Sequence, residues 1–484
     1  MKLIYDINDR PKFGEVLVFA FQQMIAIMAA TLLVPILVTS YGLESDPAAA
    51  LFGAGIGTIV YLLCTKRRSP VFLGSAFAFL GAYSASVAQN YGYWGVIIGV
   101  ALASAVYVIG AIVIRFVGSA WVNYLLPAVI IGPVVALIGL SLSSTATSWM
   151  MYNGGGSDDY SLISIVCGLF TFLIIVLASV KGTKTMKLIP FIIGIGAGYV
   201  LALVITVIGN AANIPALQIM SFQPFVDNFA PFTLGSIFRL PDFTIVRAIQ
   251  TQGQFVPVDG AMIGNLAIIY VPISIVALAE HIADHKNLSN IIGRDLITDP
   301  GLSRTLLGDG LGSLIGSIAG GCANTTYGES VGCIAITGNA SVVTIFTTAI
   351  GCMVLSFFTP FVVLINTIPK CVMGGACVAL YGFIAVSGLQ MLKKVDLGNN
   401  KNLFVVSAIL VTGIGGMMLN FGTNELTGGP LLSVTSLAVA LIVGILTNLV
   451  VNGGKMTSDE PVDNLTGAVE SMGTVEVDDT NAKK

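Results

Sequence analysis

The sequence predicts an all-α polytopic membrane protein with about fourteen transmembrane segments in two inverted repeats of seven. Composition is the first reason. Of the 484 residues, 55% are hydrophobic and 10% are charged, where a soluble domain carries about 25% charged residues. The second is that apolar runs long enough to cross about 30 Å of hydrocarbon recur along most of the chain. The third is that Lys and Arg gather on alternate connections, as the positive-inside rule requires.

Residues 1–14 contain no apolar signal region and read as a cytoplasmic N-terminus, so the first helix is retained. Apolar runs between polar breaks then place spans at 15–40, 47–64, 70–88, 95–117, 120–143, 161–180 and 187–209. These seven make the first repeat, 15–209. Residues 210–261 form the longest loop, with Phe and Pro interspersed, and are expected to pack as an extracytoplasmic cap. The second repeat, 262–452, holds spans at 262–284, 305–321, 324–339, 341–367, 371–392, 402–420 and 430–452. Residues 453–484 are polar and acidic and are expected to be a disordered cytoplasmic tail. With both termini inside, every one of the 22 Lys and Arg residues except Arg239, Arg247 and Lys370 lies on the inner side. One miscounted crossing in the middle would spoil that pattern.

An odd number of crossings per half puts the halves in opposite orientations. Crossing five reads LLPAVIIGPVVALIGL and crossing twelve reads TIPKCVMGGACVALYGF. Both have Pro followed five residues later by Gly, at Pro127 and Gly132 and at Pro369 and Gly374. Crossings three and ten are the short, Gly-interrupted ones, and they hold equivalent places in the halves. Such segments are the best sequence pointer to a transporter's binding site. Each starts with strand-like or small residues and turns helical later, which leaves backbone N–H groups free for a ligand's carbonyl oxygens.

Carboxylates are scarce in the spans. Glu280 lies in VALAEHIADHKN and Glu329 in TTYGESVG. An acid at membrane depth marks a functional site, and no basic residue sits inside these spans to pair with them. Asp284 follows Glu280 by one turn, on the same face. The only two His, His281 and His285, read as polar residues at a cytoplasmic helix end. EHIADH is not the HExxH order of zinc proteases, so no metal is expected. The seven Cys lack metal-ligand spacing and read as packing residues. No phosphate-binding loop and no nucleophile–base pair appears, so neither ATP drive, a cofactor nor enzymatic activity is expected. A net charge of −3 gives no nucleic-acid footprint.

The segments VALAEHIAD (276–284), DPGLSRTLLGDGL (299–311), NTTYGESVGCIAITG (324–338) and FLGSAFAF (72–79) carry a resemblance that covers about residues 10–452. The chain resembles the nucleobase–ascorbate transporter family, in its bacterial uracil/xanthine permease branch and nearest the uracil/proton symporters. The family signature in crossing ten is Glu or Gln, Asn, any residue, Gly, four residues, Thr, then Arg, Lys or Gly. Here it reads Glu329, Ser330, Val331, Gly332, four residues, Thr337, Gly338, with Ser330 where Asn is usual. Members often carry Gln-His in crossing one, where this chain has Gln22 and Gln23.

The resemblance implies a core domain (crossings 1–4 and 8–11) and a gate domain (5–7 and 12–14), with a short antiparallel strand in each of crossings three and ten. It implies that Glu280 and Glu329 bind the base, that Phe77 stacks on the ring, and that backbone around Ala76, Phe77, Tyr327 and Gly328 meets its carbonyls. Tyr381 falls on the gate side. Asp284 falls where relatives carry His or Asp, and a coupling proton is expected among Glu280, Asp284 and Glu329. The expected partners are uracil, protons and the lipid bilayer, and a homodimer is allowed. The expected location is the bacterial inner (plasma) membrane, multi-pass, with both termini cytoplasmic. A xanthine or urate carrier stays open, although such carriers usually have Gln at position 329. An anion transporter or channel of similar architecture also stays open. Ser330→Asn is expected to be tolerated.

Overall fold

The computed structural model describes residues 3–118, 127–152, 160–422 and 432–453. The expected start of crossing five (120–126) and the expected tail (454–484) lie outside the described residues.

Fourteen segments follow the expected order. Segment 1 is Phe13–Ser40, segment 2 Pro47–Cys64 and segment 4 Gly92–Val117. Segment 3 begins as strand β1 (Leu73–Ser75), passes through a 3-10 turn, and ends as a helix at Leu80–Ala88. Segment 5 runs Ala128–Ser141 and continues past Leu142 as Ser143–Met151. Segments 6 and 7 are Leu162–Lys181 and Pro190–Ala212. In the second half, segment 8 is Gly260–Ile292, segment 9 Leu302–Gly320, and segment 10 is strand β2 (Asn324–Thr326) followed by helix Gly328–Thr337. Segments 11 to 14 are the helices Val342–Ser356, Lys370–Met391, Asn400–Ile414 and Ser436–Val451. Among the described residues, eight helices have the length and apolarity to cross a membrane, and segments 3, 11, 13 and 14 carry shorter apolar helices.

Three boundaries differ from expectation. Segment 8 continues two turns past residue 284, where His285, Leu288 and Ile292 are buried against protein. Segment 11 breaks at Phe357 and Phe358 before a separate helix, Thr359–Asn366, with Pro360 in its first turn. Strand β3 (Leu419–Phe421) pairs antiparallel with β4 (Leu432–Val434), where continuous helix was expected. Alternating apolar and polar residues there suit a hairpin better than a helix.

The helix packing repeats when each segment is exchanged for the one seven later. Segment 1 packs on 11 as 8 packs on 4, and 2 on 11 as 9 on 4. Segment 12 packs on 6 as 5 packs on 13, and 6 on 7 as 13 on 14. Segments 2 and 9, and 5 and 12, pack on each other. A two-fold relation between halves requires this pairing. It sorts segments 1–4 and 8–11 into one bundle and 5–7 and 12–14 into another, with thin contact between them. Pro127 and Pro369, the sequence echo, are both helix N-caps.

Small residues allow the two central contacts. A Cβ on Gly57 would lie 2.6 Å from the Gly312 carbonyl oxygen, and one on Gly312 would lie 2.6 Å from the Gly57 carbonyl oxygen. Gly53 meets Gly316 in the same way, so segments 2 and 9 touch backbone to backbone. Between segments 5 and 12, a Cβ on Gly388 would lie 2.5 Å from the Gly132 oxygen.

Residues 210–261 contain two short helices, Gln223–Phe229 and Thr244–Gln250. Arg239 ties this loop to Asp46 at 2.6 Å, and Arg247 pairs with Asp242 and, at 3.1 Å, with Glu44.

Candidate functional site

The two halves meet in a strand pair at the centre of the first bundle. Leu73 faces Thr326, Gly74 faces Thr325, and Ser75 faces Asn324, all buried. Asn-Thr-Thr favours extended backbone over helix. Gly74 is required because a Cβ there would lie 2.2 Å from the Tyr327 ring. The Tyr327 hydroxyl donates to the Ser75 carbonyl at 2.9 Å, pinning the ring across the pair.

Each strand runs directly into a helix. The first helical residues are Phe77 and Gly328, and neither helix start has a side-chain cap. The opening N–H groups of a helix have no intrahelical partner, so the amides at Phe77 and Gly328 are open to a ligand. The Ala76 amide is not: it donates to the Ala323 carbonyl at 2.8 Å. The Tyr327 amide donates to Phe72 at 3.2 Å. The backbone contribution therefore begins one residue later in each segment than Ala76 and Tyr327.

A cavity of about 480 Å³ lies against these helix starts. Phe77, Tyr327, Gly328, Glu329, Glu280 and Asp284 line it, so six predicted site residues share one wall system. Ala76 is buried behind the lining. Across the cavity stand Leu380, Phe383 and Ile384 of segment 12. Tyr381 packs edge-on against Phe77, with ring centroids 6.0 Å apart, where the two bundles face each other. The cavity extends to Lys187, Asn287 and Lys393 at helix ends on one side of the bundle.

Neither Glu280 nor Glu329 has an ion-pair partner or a side-chain hydrogen-bond partner among the described residues. The Thr326 hydroxyl donates to Asp284 Oδ2 at 2.8 Å, fixing that carboxylate to β2. A cavity with two unpaired carboxylate acceptors, open backbone donors and an aromatic face can hold a flat, neutral molecule rich in N–H and C=O groups.

Behind this wall lies a buried network. His281 Nδ1 hydrogen-bonds Asp309 Oδ2 at 2.6 Å, and His281 Nε2 lies 3.1 Å from the Thr305 hydroxyl. His285 Nδ1 donates to the His281 carbonyl at 2.8 Å, and its Nε2 lies 2.6 Å from the Tyr61 hydroxyl. Both imidazoles are buried and stack 4.1 Å apart. The two His read in the sequence as polar residues at a cytoplasmic helix end are thus buried, and they brace segment 8 against segments 2 and 9. Asp309 was missed in the sequence, although LLGDGLG places one acid in an otherwise apolar and small-residue span.

Comparisons with known proteins agree with the fold and show the family. A model of the Permease family matches residues 14–422. The uracil permease of Bacillus caldolyticus is 36% identical over 93% of this chain and 95% of its own length. The uracil permease of Bacillus subtilis (strain 168) is 35% identical over 94% of this chain and 96% of its own. In fold, the chain is similar to the murine anion transporter solute carrier 26 family member A9 in its inward-facing state. That match has a TM-score of 0.59 at 12% identity, covering 92% of this chain and 69% of the other. The chain is a multi-pass membrane transporter, not an enzyme, and it belongs to the Permease family, in the group of the nucleobase–ascorbate transporters.

Proposed function

We propose that this transporter carries uracil into the cell together with protons. The observation that carries the reading is the pairing, in one cavity, of two carboxylates that have no ion-pair partner among the described residues with open amides at two helix starts. Uracil offers two ring N–H donors and two carbonyl acceptors. Glu280 and Glu329 accept from the N–H groups, the amides at Phe77 and Gly328 donate to the carbonyls, and the Phe77 ring lies on the base. Two acids at the site oppose an anionic substrate, which argues against anion exchange despite the similar fold. The two uracil permeases among the relatives support the choice of base.

Glu280, Asp284 and Glu329 share a coupling proton, which belongs to the group rather than to one residue. Neutral substrate binds when the group holds the proton and leaves when the proton is lost. Both termini, and the Lys187 and Lys393 end of the cavity, lie on the cytoplasmic side of a bacterial plasma membrane. Segments 1–4 and 8–11 move as a core against the gate formed by 5–7 and 12–14, with Tyr381 on the gate face. Competition of radiolabelled uracil uptake by xanthine, urate and thymine tests the substrate. Efficient competition by xanthine or urate, with uracil itself poorly taken up, would contradict the assignment.

A further inference from the structure

We propose that the surface between segment 1 and the turn joining segments 6 and 7 is a binding site for one anionic phospholipid. A groove of about 440 Å³ lies there, lined by Leu17, Val18, Phe21, Gln22 and Ile25 on one side and Thr185 and Ile189 on the other. Apart from Gln22 and Thr185 the lining is apolar. Leu17 and Ile25 are eight residues apart on one helix, roughly 12 Å at 1.5 Å per residue, so the trench runs along the helix as an acyl chain does in a leaflet. Phe21 and Val18 are more than half exposed, and in a membrane protein lipid tails cover such a face.

Charge selects the kind of lipid. Arg10 and Lys12 lead into segment 1 beside one wall, and Lys181 and Lys184 lead into the other. All four are exposed, and none is ion-paired with a carboxylate among the described residues. The nearest acid on segment 1, Glu15, is occupied by the Tyr5 hydroxyl at 2.8 Å and the Lys12 amide at 3.0 Å. Basic residues converging on the membrane-surface end of an apolar groove fit a phosphate-bearing head group of net negative charge. A zwitterionic head group would add an ammonium to an already cationic rim.

The position gives the lipid a consequence. Segment 1 belongs to the core bundle, and residues 185–189 connect two gate segments. A tail in this groove touches both bodies, so its binding favours the arrangement in which the groove is formed.

The test uses the purified full-length chain in detergent, titrated with dioleoyl phosphatidylglycerol or dioleoyl phosphatidylcholine, with thermal unfolding as the readout. This readout does not depend on the identity of the transported substrate. Phosphatidylglycerol is expected to raise the unfolding midpoint and phosphatidylcholine to leave it nearly unchanged. Lys181→Gln/Lys184→Gln removes the head-group contact, and Val18→Trp fills the groove, so each is expected to abolish the selective rise. Lys66→Gln/Arg67→Gln, on a different basic turn, is expected to keep it. An equal rise with both lipids overturns the proposal. So does a full selective rise in Lys181→Gln/Lys184→Gln, or its equal loss in Lys66→Gln/Arg67→Gln, which would point to diffuse surface charge.

Discussion

The side-chain amide of Gln23 donates to the hydroxyl of Ser330, and that hydroxyl also accepts from the Phe72 amide at 3.0 Å. One buried oxygen thus joins segment 1, the approach to β1 and the helix that carries Glu329. Gln23 and Ser330 are the two positions at which the chain departs from the family's usual His and Asn, and here they touch.

That contact changes the expectation for Ser330→Asn. Ser330 is fully buried, with 0% exposure, so a larger amide must displace Gln23 or the Phe72 strand. Ser330→Asn alone is expected to lower uracil uptake several-fold, and Gln23→His/Ser330→Asn to recover most of it. The check is a double-mutant cycle on uptake, with surface expression measured in parallel. Full uptake by Ser330→Asn alone would show that the two positions are not one unit.

Glu280→Gln replaces an acceptor by a mixed donor and acceptor. A ring N–H of the base is then mispaired, at about 1–3 kcal/mol, which is about fivefold or more in Kd. Uracil binding to the purified variant should fall by at least that factor while the protein still folds. Wild-type affinity would remove Glu280 from the site.

Asp284 is held to β2 by Thr326 and stands one turn from Glu280. Asp284→Asn keeps a hydrogen-bonding group there but removes a site for the proton. Uracil binding should persist, and the pH dependence of uptake should flatten. An unchanged pH profile would take Asp284 out of the coupling group.

The backbone contact between segments 2 and 9 leaves no room for side chains. Gly312→Val is expected to destabilise the protein by about 1–3 kcal/mol or more, seen as a lower melting temperature in detergent. Gly264→Ala, where a Cβ meets nothing within 4 Å, should melt as wild type. Equal melting of Gly312→Val and wild type would contradict the close approach.

Much of this was legible in the sequence because the bilayer imposes strong rules. Most of each crossing must be apolar, so the segment order could be read directly. An acid at depth is expensive, so Glu280 and Glu329 stood out. Other features depend on neighbours far along the chain. His281 and His285 read as polar residues at a helix end because nothing local shows that Asp309 and Tyr61 face them. Which amides stay open depends on the carbonyl of Ala323 taking the Ala76 donor. The β3–β4 hairpin was hidden inside runs apolar enough to read as helix.

The most direct measurement is uracil uptake by proteoliposomes of the purified chain under an imposed pH gradient, with and without a sodium gradient. The account predicts that uracil accumulates on the more alkaline side, inside the vesicles, whenever the exterior is acidic. It also predicts that sodium makes no difference and that Glu280→Gln abolishes accumulation. Accumulation that follows the sodium gradient and ignores the pH gradient would contradict it.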